Sequence, residues 1–396
     1  MGLTDTPNAN RLHITLFGRR NSGKSSLINA LTGQDIALVS NTPGTTTDLV
    51  SKAMEIQGIG PCLFIDTPGF DDEGELGELR ISRTLKAIEK TDIALLLCED
   101  TTLFHEKEIL ALLKEKNIPV IPVLNKIDIR ENSDHLATYI EEQCKIHPLL
   151  ISAKEKIGIE LIRQAILEKL PSDFGQQSIT RELVTENDLV LLVMPQDIQA
   201  PKGRLILPQV QTIRELLDKK CLVMTCTTDK FSATLQALAR PPKLIITDSQ
   251  VFKAIYEQKP KESELTSFSV LFAGYKGDIH YYVESAAVIE RLTESSRVLI
   301  AEACTHAPLS EDIGRVKLPR LLRKRIGENL QIDMVAGTDF PQDLTPYSLV
   351  IHCGACMFNR KYVLSRIERA REQHIPMTNY GVAIAFLNGI LDQIKY

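Results

Sequence analysis

Gly18-Arg19-Arg20-Asn21-Ser22-Gly23-Lys24-Ser25-Ser26 decides the fold of the first third of this chain. The pattern is GxxxxGKS, and its flanks are those the motif needs: Leu12–Phe17 reads as a strand before it, and a helical run follows from Leu27. The glycines let backbone amides close around phosphate oxygens, Lys24 neutralises the β- and γ-phosphates, and the Ser25 hydroxyl reaches Mg²⁺. Gly18, Asn21, Ser22, Gly23, Lys24, Ser25 and Ser26 are thus the expected phosphate cradle.

Further parts arrive downstream in the order such a switch requires. Leu63–Ile65 is a strand pattern ending at Asp66-Thr67-Pro68-Gly69, where Asp66 can hold Mg²⁺ through water and Gly69 can sense the γ-phosphate. Val120–Leu124 ends at Asn125-Lys126-Ile127-Asp128, and Leu149–Ile151 ends at Ser152-Ala153-Lys154. The Asp128 carboxylate can accept two hydrogen bonds from guanine N1–H and the 2-amino group. Adenine offers neither, so it would leave a carboxylate unpaired at a cost of about 1–3 kcal/mol or more. The expected cofactors are GTP and Mg²⁺, with Lys24 and Gly69 acting on the phosphates.

Residues 11–170 resemble the small GTPases of the branch related to Era and MnmE. In that branch Thr45-Thr46-Thr47-Asp48, after Pro43-Gly44, matches switch I. The resemblance makes Thr46 the Mg²⁺-sensing, catalytic threonine, with Thr45 or Thr47 as one-residue alternatives. It also makes Asn21 a ligand for K⁺, against a capping role. Phe70 stands where Ras-like enzymes place a water-orienting glutamine, so hydrolysis is expected to be slow without K⁺, a partner or dimerisation.

Length and composition frame the rest. A chain of 396 residues suggests two or three domains, each with its own core. A net charge of -5 argues against a dedicated nucleic-acid binder. Apolar runs such as Ile93–Cys98 are too short to span a bilayer, and no leader pattern opens the sequence, so a cytoplasmic protein is expected with no membrane partner. In that compartment eight cysteines suggest metal rather than disulfides.

Leu170–Ser178 reads as a linker, so a GTP-binding domain of 1–172 is expected. Three strand–helix units follow, with strands at Leu189–Met194, Cys221–Cys226 and Leu244–Thr247, and one helix face formed by Val210, Ile213, Leu216 and Leu217. Three parallel strands have little core and two bare edges, which predicts a dimerisation module over 179–264 and a homodimer. Cys221 and Cys226 read as core thiols.

From 265 to 396 strands are expected at Ser269–Ala273, Arg297–Ala301, Ile332–Ala336 and Ser348–Ile351, and helices at 281–293, 318–330, 360–373 and 381–394. Gly274, Gly337 and Gly354 each follow an expected strand. His352-Cys353-Gly354-Ala355-Cys356 and Cys304-Thr305-His306 fall at the carboxyl ends of two of these strands, where open α/β sheets build sites. Cys304, Cys353 and Cys356 form a three-point metal site, with His306 and His352 beside it. Zinc held by three cysteines and a histidine and a 4Fe–4S cluster with one open iron both fit that set. Lys317–Arg325 is a basic helical run, either a solvated face or a docking surface for an anionic or acidic partner.

A GTPase, a small α/β module and a terminal CxH…HCxxC domain in that order resemble the FeFe-hydrogenase maturation GTPases, the HydF family, over the whole chain. The fold class is then α/β in three domains: a P-loop GTPase, a parallel α/β dimerisation module and an α/β iron–sulfur cluster-binding domain. The resemblance implies that Cys304, Cys353 and Cys356 ligate a 4Fe–4S cluster. Its fourth iron would take His306, His352, a carboxylate such as Glu302, or water. It further implies a transient diiron precursor made by radical-SAM maturases and delivered to the FeFe-hydrogenase apo-enzyme. The alternative is an RNA-processing or ribosome-associated GTPase with a structural zinc domain.

Overall fold

Every residue of β1 (Leu12–Gly18) is buried, as expected of a strand covered on both faces in a parallel sheet. In the computed structural model, which describes residues 6–32, 50–56, 58–69, 84–171, 174–175, 177–195, 205–303 and 312–396, β1 is central to a six-stranded sheet. Its neighbours are β2 (Val50–Ile56), β3 (Gly60–Asp66), β4 (Ile93–Cys98), β5 (Val120–Leu124) and β6 (Leu149–Leu150), in the order β2-β3-β1-β4-β5-β6. Only β2 runs antiparallel to its neighbour. Leu12, Ile14 and Leu16 pack into one core and Phe17 into the core on the other face. After β1 the chain turns through the glycine-rich loop into α1 (Lys24–Thr32). This sheet belongs to one compact unit, Met1–Gln176; the second runs from Gln177 to Tyr396.

The second unit holds two four-stranded sheets, both parallel throughout. The first comprises β7 (Leu189–Val193), β8 (Leu222–Cys226), β9 (Leu244–Thr247) and β10 (Glu264–Ser267), ordered β10-β9-β7-β8. The second comprises β11 (Arg297–Glu302), β12 (Gln331–Ala336), β13 (Leu349–His352) and β14 (Met377–Asn379), ordered β12-β11-β13-β14. One apolar core runs through both: Leu191, Val193 and Ile245 of the first sheet share it with Leu299, Ala301 and Val350 of the second. Among the described residues no helix is long and apolar enough to cross a membrane.

Several local expectations are corrected. The middle sheet has four strands, because Glu264–Ser267 pairs with β9. Ser269–Ala273 is no strand but lies within helix α3 (Phe268–Lys276), and Gly274 sits in that helix. This helix is buried nearly all round, so its apolar run carries no helical periodicity. On helix α2 (Leu207–Asp218) only Leu216 of the expected face is buried, while Val210 and Leu217 are exposed. The basic run forms α4 (Leu318–Ile326), which buries Leu318, Pro319 and Leu322 and leaves Arg320, Lys324 and Arg325 in solvent. The last helices are α5 (Arg360–Glu372) and α6 (Tyr380–Leu387). α6 crosses α3 closely: a Cβ at Gly381 would lie 3.0 Å from both the Ser269 Cβ and the Val270 backbone nitrogen.

Candidate functional site

The nucleotide motifs converge at the carboxyl ends of β1, β3 and β5. Lys24 is 8% exposed, and its ammonium donates to the carbonyls of Gly18 at 2.9 Å and Arg19 at 2.7 Å. Ser25 Oγ donates to Asp66 Oδ2 at 2.7 Å, so the two groups expected at Mg²⁺ are already neighbours. Burial pushes the Asp66 carboxyl up, opposed by that hydrogen bond and by Lys24. A Cβ at Gly18 would sit 2.7 Å from Ser22 Oγ, and Gly23 has φ of +90°, so both positions exclude a side chain. Asn21 is exposed in the left-handed region at φ 61°.

Asn125 ties three motifs together. Its Oδ1 accepts from the backbone N–H of Lys126 at 2.8 Å and of Ala153 at 3.0 Å, and its Nδ2 donates to the Ser22 carbonyl at 3.1 Å. Asp128 Oδ1 accepts from Ser152 Oγ at 2.6 Å, which holds its carboxyl below the usual carboxylate range. Lys126 and Lys154 pair with Glu99 and Glu155. Ser26 is exposed and Gly69 half-buried at the loop after β3. Thr46, its neighbours Thr45 and Thr47, and Phe70 lie outside the described residues. Sequence reasoning missed the anchor of the phosphate loop: Arg19 pairs with Asp100 at 3.1 Å and with the fully buried Glu106 at 3.0 Å.

The second candidate site lies after β13. Cys353 Sγ accepts hydrogen bonds from the backbone N–H of Ala303 at 3.0 Å and of Ala355 at 3.4 Å. Burial pushes this thiol up to about 11, and both N–H groups oppose the shift by favouring thiolate. Cys353 and Cys356 border one cavity of about 220 Å³, with Glu302, Asp312, Tyr380 and Ser249 also on its walls. A Cβ at Gly354 would meet nothing within 4 Å, so the turn is open on that side. Two half-buried cysteines on one turn, one receiving amide hydrogen bonds, fit a thiolate-ligated metal group. Cys304 and His306 lie outside the described residues; Ala303, which donates to Cys353, immediately precedes Cys304 in the sequence.

His352, expected as a possible fourth ligand or accessory, lies between Arg366 and the cysteine turn. It is fully buried, its Nε2 faces the Arg366 guanidinium at 2.9 Å, and its Nδ1 lies 2.8 Å from the Cys353 carbonyl. Arginine only donates, so Nε2 must accept and Nδ1 must carry the proton. Both ring nitrogens are spent, and burial together with Arg366 pulls the pKa down to about 3. Glu302 borders the cavity with Oε2 held by Arg315 Nε at 3.0 Å and Oε1 near the Tyr380 hydroxyl at 3.5 Å.

Two buried cations escaped the sequence reading. Lys276, 2% exposed, donates to the carbonyls of Ala355, Cys356 and Phe358 at 3.2, 3.3 and 2.6 Å, which spends all three ammonium donors on the cysteine turn. Burial pulls its pKa down to about 8, against the pull of Cys356 and Cys353. Arg366 stacks 4.6–4.7 Å from the rings of Phe340, Phe358 and Tyr362 and donates to the Gly337 carbonyl at 2.6 Å. A helical register with Val363, Ile367 and Ala370, all buried, is the signal that could have placed Arg366 inside.

Comparison with known families matches three models along the chain. Residues 13–126 match a 50S ribosome-binding GTPase, so the N-terminal unit carries a GTPase domain. Residues 179–277 match the hydrogen maturase F dimerization domain, and 280–395 its tetramerization domain. Among curated relatives, the tRNA modification GTPase MnmE of Dechloromonas aromatica is 40% identical over 159 residues, covering 39% of this chain and 34% of the relative. MnmE of Nitrosomonas europaea is 38% identical over 160 residues, covering 40% and 34%. The chain thus spans about a third of the length of these relatives. Among solved structures, the G domain of the T. maritima FeoB iron transporter matches at TM-score 0.32 and 24% identity, covering 40% of this chain and 98% of that one. Era in complex with MgGDPNP and 16S ribosomal RNA matches at TM-score 0.36 and 20% identity, covering 55% and 93%.

Proposed function

The chain belongs to the hydrogen maturase F family of GTPases, and from that premise we propose that it is a GTP-hydrolysing scaffold that carries a 4Fe–4S cluster and delivers a diiron precursor to the FeFe-hydrogenase apo-enzyme. The observation that carries this reading is the environment of Cys353: a half-buried sulfur receiving two backbone N–H groups, on a cavity wall shared with Cys356. Cys304 is the third thiolate, and Glu302 the carboxylate that exchanges with water or cargo at the remaining iron. His306 stays an alternative to Glu302. When bound, the cluster supplies an iron with an exchangeable ligand, the point where cargo is held and released.

The chain's own groups supply the rest. Lys276 fixes the turn that carries Cys356, and Arg315 with Tyr380 orients Glu302. At the nucleotide, Lys24 and Gly69 act on the phosphates, Ser25, Thr46 and Asp66 hold Mg²⁺, and Asn21 takes K⁺. Asn125, Lys126, Asp128, Ser152, Ala153 and Lys154 form the guanine pocket. The division of labour runs from GTP binding (1–172) through dimerisation (179–264) to cluster binding (265–396), with β10 at the last seam. In the cytoplasm, radical-SAM maturases would supply the precursor, and nucleotide state would set affinity for these partners.

Anaerobic reconstitution with iron and sulfide tests the scaffold reading. The expected result is the broad visible absorbance of an iron–sulfur chromophore with bound iron and sulfide. Colourless protein carrying stoichiometric zinc overturns it.

The dimer interface is proposed at the β8 edge. Leu222 and Met224 are 52% and 39% exposed on one face of this edge strand, and Val210 and Leu217 on α2 add a second apolar stripe. An edge strand with exposed apolar side chains is a template for a second copy. Leu222→Lys combined with Met224→Glu is expected to raise the dimer dissociation constant by about 30-fold or more, read by sedimentation equilibrium. An unchanged constant removes β8 from the interface.

A further inference from the structure

The segment after β4 touches both ends of the nucleotide site without belonging to any of its motifs. β4 lies beside β1, with Leu97 opposite Gly18, so the residues after Cys98 emerge next to the phosphate loop. Asp100 Oδ2 accepts from Arg19 Nη1 at 3.1 Å. Glu106, in the first turn of the helix Phe104–Glu115, accepts from Arg19 Nη2 at 3.2 Å through Oε2, and its Oε1 lies 3.0 Å from Arg19 Nε. At the other end, Glu99 Oε1 accepts from Lys126 Nζ at 3.0 Å. The Glu99 carbonyl accepts from Arg130, whose Nε donates to the Asn125 carbonyl at 3.2 Å. The carboxylates of this one stretch thus hold a cation of the phosphate loop and a cation of the guanine motif.

Stability does not account for this arrangement. A glutamate in the first turn of a helix favours the dipole from solvent, yet Glu106 is fully buried. An apolar pair of similar volume in place of a buried ion pair is often neutral or stabilising. Carboxylates beside a phosphate-binding loop also repel the charge of its ligand. Phosphate contact does not offset that cost, since an ionised carboxylate only accepts hydrogen bonds. What Asp100 and Glu106 do is fix Arg19. The Arg19 carbonyl accepts from the Lys24 ammonium at 2.7 Å and from the Ser22 N–H at 3.3 Å. The clamp on its guanidinium therefore sets where the Lys24 head group and the loop amides stand.

We infer that Glu106 and Asp100 are positioning residues for the phosphate end of GTP, acting through Arg19 on Lys24, and that Glu99 is the positioning residue for the base end, acting through Lys126. The inference rests on the roles given above to Lys24 and Lys126 and is independent of the cysteine site. The two ends differ in what they contribute. Lys24 meets charge that shifts on the β- and γ-phosphates during transfer, so a displaced loop loses transition-state stabilisation and kcat falls. Lys126 meets the base, which the reaction leaves unchanged, so a displaced Lys126 loses binding common to both states and KM rises alone. Neighbouring residues, Glu99 and Asp100, thereby carry opposite kinetic signatures.

The test uses the full-length protein, with GTP as substrate and phosphate release as the signal. Arg19→Met combined with Glu106→Leu is expected to keep the melting temperature within about 3 °C of the parent while kcat falls about tenfold. Glu106→Gln, similar in shape and uncharged, lowers kcat about threefold, and Glu99→Gln raises KM about fivefold at parental kcat. If the double variant does not fold, the two single variants carry the test. Parental kcat in Glu106→Gln, parental KM in Glu99→Gln, or KM and kcat moving together in both, overturns the inference. A Lys24→Ala control with parental turnover would instead remove the nucleotide-site assignment on which it rests.

Discussion

Cys353→Ala is expected to abolish cluster retention and hydrogenase maturation while GTP turnover stays within about twofold of the parent. Cys353 is the best-defined donor of its site, with amide hydrogen bonds from Ala303 on one neighbouring segment and Ala355 on its own turn. On the proposed reading, loss of this sulfur removes one corner of a three-cysteine ligand set. The surrounding strand contacts depend on β13, not on the thiol, so the fold persists. The GTPase motifs lie in the other compact unit and share no residue with this site. Iron and sulfide content, maturation of apo-hydrogenase and phosphate release are the three measurements. Maturation retained by this variant would sink the scaffold assignment.

Asp128→Asn is expected to weaken GTP binding by about 100-fold or more and to restore binding to xanthosine triphosphate. A carboxylate accepts both guanine donors, whereas an amide keeps one acceptor and turns a donor toward the 2-position. Guanine places an amino group there; xanthine places a carbonyl, which that donor satisfies. The Ser152 hydroxyl, 2.6 Å from Oδ1, keeps the parental side chain ionised and aimed, so its pairing does not fade until pH falls below the carboxylate range. Competition titration with both nucleotides checks the switch. Parental GTP affinity in this variant would remove the guanine reading of the Asn125–Asp128 motif.

The sequence made the GTPase sheet legible because each motif sits where a buried apolar run stops. Glycine, lysine and carboxylate at such a stop have few uses besides phosphate, metal and base. The same logic found the cysteine turn at the end of β13. It failed at α3, where Ser269–Ala273 is apolar on every side and carries neither a period of two nor one of 3.6. Taking that run as a strand hid the true strand, Glu264–Ser267, which straddles the expected domain boundary at 264. β14 escaped because three residues make no pattern. What the His352 ring faces was not legible in the sequence: Arg366, fourteen positions on, meets its Nε2. Lys276 gave no signal at all, since a lysine ending an apolar run ordinarily marks the surface.

The core shared by the two sheets of residues 177–396 has a consequence for the order of events in the cell. The cavity that borders Cys353 and Cys356 does not exist until α3, α6 and both sheets have docked, because its walls come from all of them and one of the two donors to Cys353 comes from the end of β11. A nascent or half-folded chain therefore offers loose thiols but no assembled receptacle. On the scaffold reading proposed above, a sulfur-ligated group would be received only once this unit is complete.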